Sequence, residues 1–132
     1  MNDFAKWFCR VLWISITIDV ILGLLALFFP NSTLRGLGMR PTDDIAWTAF
    51  GGMAVLMIAL LERPAARDPY RYKETATASV IVKGAFALFF LILWPSRYPA
   101  FGFLALFFFL IEWALLWLMR KTPHPEWQAT SA

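Results

Sequence analysis

Apolar residues fill four stretches of this chain, 7–29, 45–61, 75–94 and 98–119, and polar residues gather between them. A helix needs roughly 20 residues to cross the hydrocarbon core of a bilayer, with a working range of about 17–25. Backbone groups in lipid must bond within the chain, so the four runs predict four membrane-spanning helices. The short alternating segments of a β-barrel do not occur. The first run exceeds a signal-peptide core, is interrupted by Asp19, and has no small-x-small cleavage site after it, so it is read as a mature helix. Pro30, Pro41, Pro64, Pro95 and Pro99 fall at or beyond the expected helix ends, where the missing N–H does least harm. Asp43 or Asp44 is placed to cap the second helix, and Thr75 the third. The expected fold is an all-α integral membrane four-helix bundle, one domain over 1–132 with a short tail from 120 onward.

Composition strengthens the membrane reading. Hydrophobic residues make up 60% of the chain and charged ones 16%, where soluble domains run at about 45–50% and about 25%. The net charge of +3 does not describe a nucleic-acid surface, because the basic residues are dispersed around helix ends. Lys6 and Arg10 flank the start, Arg63, Arg67, Arg71 and Lys73 occupy the expected loop 62–74, and Arg120 and Lys121 follow the fourth run. The other connections carry Arg35, Arg40 and Arg97. Lysine and arginine collect on the cytoplasmic face, so both termini are expected in the cytoplasm of a multi-pass protein of the bacterial inner membrane. Trp7, Trp47, Trp94, Tyr98 and Trp117 fall near the expected boundaries, where amphipathic rings settle. The endings 25–30 and 90–95 resemble each other, which raises an internal duplication of two hairpins; the bland alternative is a common apolar ending.

Four ionisable residues interrupt the apolar runs: Arg10, Asp19, Lys83 and Glu112. Charges at bilayer depth are costly and usually pair or mark a site. Asp19 lies eleven residues before Pro30, Lys83 twelve before Pro95, and Glu112 eight before Arg120. At about 1.5 Å per residue this puts the three at similar depth. Ser15, Gly23 and Ala26 share the face of Asp19, and Ala76, Ser79 and Ala87 that of Lys83. Small and hydroxyl residues line helix contacts in membranes, so both charges are expected to face other helices. Glu112 shares its face with Ala105 and Phe108 and could equally meet a partner subunit. Asp19, Lys83 and Glu112 therefore form an expected intramembrane polar cluster with Lys83 near a carboxylate. Arg10 is an expected interfacial anchor. A packing network and a proton or substrate site both fit this cluster.

Gly51 and Gly52 are expected to allow close helix packing, and Phe107, Phe108 and Phe109 to face lipid or a partner. His124 is the sole histidine and Cys9 the sole cysteine, so no haem axial ligand, metal cluster or intrachain disulfide is expected within the membrane. Neither a nucleophilic triad nor a phosphate loop is present, and no enzyme or cofactor is expected.

In its size, its four spans, the turn Leu37-Gly38-Met39-Arg40-Pro41, and the following Trp47 and Gly51-Gly52, the chain resembles the small four-helix bacterial membrane proteins called DoxX-like or BphX-like. That resemblance implies a four-helix fold and carries no functional residue. The expected function is an accessory or structural subunit of a larger membrane complex, or a self-associating scaffold, with membrane lipids, other membrane subunits or further copies as partners and no nucleic acid. The alternative is a small proton-coupled exporter working as a dimer through Asp19, Lys83 and Glu112.

Overall fold

The computed structural model describes residues 2–93 and 99–122, all of them helical or in connecting turns. Trp94, Pro95, Arg97, Tyr98, His124 and most of the tail lie outside the described residues, and with them the expectations placed on those positions. Helix α1 spans Asp3–Phe28 and starts earlier than expected because the Asn2 side chain accepts the Ala5 N–H at 2.8 Å, a capping bond. It ends before Pro30, the first residue of a short second helix, α2 (Pro30–Gly36), which the apolar pattern did not predict. Proline suits that position because its missing N–H needs no partner there. The α2 chain turns at Gly38, whose φ of +72° suits a residue without Cβ.

Helix α3 spans Ile45–Arg67 and differs most from expectation. Asp44 occupies its N-cap position without a side-chain capping bond. At its other end it runs through Pro64, so Glu62 and Arg63 are helical and not part of a loop. A proline in the last turn deprives the Leu60 carbonyl of its donor, a loss confined to the helix end. Asp68 then accepts the N–H groups of Tyr70 and Arg71, both at 3.1 Å, and closes a tight turn. Helix α4 spans Lys73–Leu88, starting ahead of Thr75, and continues as a wider π-helical turn over Phe89–Leu93. Helix α5 spans Pro99–Lys121. Among the described residues four helices are long and apolar enough to cross a membrane: α1, α3, α4 with its π turn, and α5.

These four form a ring in the order α1, α3, α4, α5, with α1 packed on α3, α4 on α5, and α1 on α5. At the α1–α3 crossing a Cβ on Gly52 would stand 2.7 Å from the Gly23 carbonyl, so the two backbones touch. Gly51 faces open space; of the expected pair Gly52 alone makes the close approach. The core gathers at one end, from Ala5, Phe8 and Leu12 of α1, Ala65 and Ala66 of α3, Val80 of α4, and Leu116 and Met119 of α5. The fourth contact, α3 on α4, is the sparsest of the ring and follows from the tight turn at 68–72. Beyond the core end the two hairpins therefore part.

Large apolar side chains point outward along all four long helices, among them Ile21, Phe50, Leu61, Ile81, Phe103 and Trp113, while Ser15, Ser79, Glu62, Lys83 and Glu112 are buried. This polarity is the reverse of a water-soluble bundle.

Candidate functional site

Where the core ends, three ionisable groups from three helices meet. Lys83 projects from α4 one turn after Ser79, on one helix face. Its ammonium donates to Glu62 Oε1 at 2.6 Å and to Ser79 Oγ at 2.9 Å, and lies 3.3 Å from Glu112 Oε2. The Ser79 hydroxyl donates to Glu62 Oε1 at 2.7 Å and stands 3.4 Å from Glu112 Oε2. Lys83, Ser79, Glu62 and Glu112 are all buried. Charge-assisted bonds of this kind are the strong ones, and they tie α3, α4 and α5 together at one level.

The cluster thus differs from expectation in membership. Lys83 and Glu112 do come together. The closest partner of Lys83 is Glu62, which the apolar pattern assigned to a loop because Arg63 and Pro64 follow it. A signal was available: Ala59, Ala65 and Ala66 continue a face of small residues past Glu62, and all are buried with it. Asp19 makes no ion pair among the described residues. Gly23 faces Gly52 and Leu56 across the antiparallel α1–α3 pair. Ser15 therefore falls near the level of Glu62, and Asp19 about one turn farther from the core. The Ser15 hydroxyl lies beside Asp19 without reaching hydrogen-bond geometry. Arg10 is exposed and stacks on the Trp7 ring, 5.1 Å from its centroid, away from the cluster.

Beyond this level the parted hairpins enclose a cavity of about 610 Å³. Its floor is Ser15, Asp19, Glu62 and Lys83. Leu22, Val55 and Ile58 wall it on one side, and Phe86, Phe90, Phe101, Leu104 and Phe108 on the other. Leu34, Thr42, Asp44 and Trp47 line its far end. Phe108, expected to face lipid or a partner, is buried against this space; Phe107 does point outward, and Phe109 packs over Gly84. An apolar cleft of roughly 300–1,000 Å³ with a few convergent polar groups is the usual form of a small-molecule site.

The floor is formally acidic: Asp19 and Glu62 set two carboxylates against the single ammonium of Lys83, and Glu112, outside the lining, pairs with the same ammonium. Glu62 Oε2 and Glu112 Oε1 are buried without a hydrogen bond. Among the described residues no group of three or more His, Cys, Asp or Glu is placed to hold a metal ion. Lys83 has its ammonium committed to carboxylates, which deprives it of the free amine that nucleophilic chemistry needs. The arrangement can bind and orient an amphipathic molecule.

No family model, curated protein or solved structure matches this chain.

Proposed function

We infer that this chain is a multi-pass membrane protein that takes a small amphipathic molecule between its two hairpins and serves as a carrier for it. The observation that carries this reading is the cavity of about 610 Å³ whose apolar walls end on a buried charged floor. A purely structural bundle has no need of such a space, and filling it with side chains would add dispersion contacts. The outward apolar surface and inward polar residues support immersion in lipid, where small and polar residues hold helices together. An amphiphile dissolved in the bilayer has a route to the cavity through the loosely packed side between α3 and α4. The accessory-subunit reading needs neither the cavity nor its floor. The DoxX-like resemblance remains a proposal of shared fold.

The test uses the protein in nanodiscs of zwitterionic lipid, with empty nanodiscs as the partition control. Dodecylamine, dodecanol and dodecanoate are titrated and bound stoichiometry is read by native mass spectrometry. At least one of the three should saturate near one per chain. Gly51→Trp, which adds its ring on the cavity side of α3 where no atom stands within 4 Å, should abolish that binding while the thermal transition is kept. Binding indistinguishable from empty discs for all three probes would overturn the reading.

A further inference from the structure

The polarity of the cavity floor selects one class of occupant. Lys83 is committed to Glu62, Ser79 and Glu112, so it offers no free positive charge to a ligand. What faces the cavity uncommitted is acceptor: the Asp19 carboxylate, which has no ion-pair partner among the described residues. Glu62 also lines the floor, with Oε2 enclosed and without a hydrogen bond, so it adds negative charge there and not a contact. A carboxylate facing an apolar cavity without a cation is costly, and a ligand that brings the cation offsets that cost. At the opposite end of the same cavity Asp44 adds another carboxylate. Aromatic rings of Phe86, Phe90, Phe101 and Phe108 wall the space between, which suits an apolar body and tolerates a cation.

We propose that the cavity is a site for a lipophilic ammonium compound, its charged group seated against Asp19 and its apolar body along the aromatic wall. This rests on the amphiphile-binding reading and narrows it by charge. An anionic headgroup would enter a floor that already carries more carboxylates than ammonium groups. A neutral alcohol would supply a donor to Asp19 without compensating its charge.

The same nanodisc titration separates the two readings. Dodecylamine, an ammonium ion at pH 7, should bind the wild-type protein at least tenfold tighter than dodecanol, and dodecanoate weakest. This ranking is read on the wild-type protein and depends on no variant. Asp19→Asn, isosteric and outside the Lys83 network, should weaken dodecylamine about tenfold and leave dodecanol unchanged. Equal binding of amine and alcohol, preference for dodecanoate, or an unaltered amine affinity in Asp19→Asn each overturns the ammonium assignment while leaving an amphiphile cavity in place. Loss of all three ligands overturns the cavity reading itself.

Discussion

Lys83 stands between Glu62 and Glu112, so its loss leaves two buried carboxylates with no cation between them. Removing one member of a buried pair costs about 3–5 kcal/mol, chiefly through the uncompensated charge that remains. Lys83→Met should therefore lower the stability of the bundle by that amount, read as the midpoint of thermal or SDS-induced unfolding in mild detergent. Replacing the whole network by apolar groups removes the stranded charges, and such replacements are often neutral. The triple variant Glu62→Leu, Lys83→Met, Glu112→Leu should recover most of the loss. A triple variant no more stable than Lys83→Met would show that the network does not act as a unit. The Lys83–Glu112 encounter was legible in the sequence, because residue counting along two antiparallel helices sets them at one level. The Glu62 pairing was not, since a charge followed by Arg63 and Pro64 has the composition of a loop. The packing of Ala65 and Ala66 beside Ala5 and Phe8 of α1, together with the bonds from Glu62 to α4, turns that segment inward.

At the scale of elements, the crossing of α1 and α3 turns on a backbone contact. A methyl group on Gly52 would meet the Gly23 carbonyl at 2.7 Å and the Leu27 nitrogen at 2.9 Å, both backbone atoms that cannot swing aside. Gly52→Ala should cost about 1–3 kcal/mol, the usual range for forcing atoms into a packed contact. Gly51→Ala meets nothing within 4 Å, and alanine is the better helix former by about 0.5–1 kcal/mol. The two adjacent substitutions should thus move the unfolding midpoint in opposite directions; equal losses would place the crossing elsewhere. That a glycine of this pair serves packing was readable from sequence. Which glycine makes the contact depends on helix rotation, which an apolar run on all sides does not specify. The four long helices were legible for a simple reason: a run of apolar residues near bilayer length has few alternatives. Helix α2 was hidden because 30–36 has no apolar stripe, and its signs, Pro30 at the first position and Gly38 past the end, are also those of an ordinary turn.

At the scale of the molecule, charge and packing divide the bundle into two unlike ends. The tightly packed end holds Lys6, Arg63, Arg67, Arg71, Lys73, Arg120 and Lys121, with Lys121 3.7 Å above the Trp117 ring and Arg71 5.6 Å from that of Tyr72. The open end has Arg35 and Arg40, and the cavity runs toward it to Asp44. Lysine and arginine near helix ends favour the cytoplasmic face. The packed core would then seal the cytoplasmic half of the bundle, and the cavity would meet lipid from the opposite leaflet. Cysteine labelling in intact cells checks this, with Cys9→Ser as background. Arg40→Cys should react with a membrane-impermeant maleimide added outside, whereas Thr122→Cys should react only after permeabilisation. The reverse pattern would invert the bundle and turn the cavity toward the cytoplasmic leaflet. Labelling of both sites from outside would mean that the chain does not hold a fixed four-span topology, and with that the lipid route to the cavity would fall.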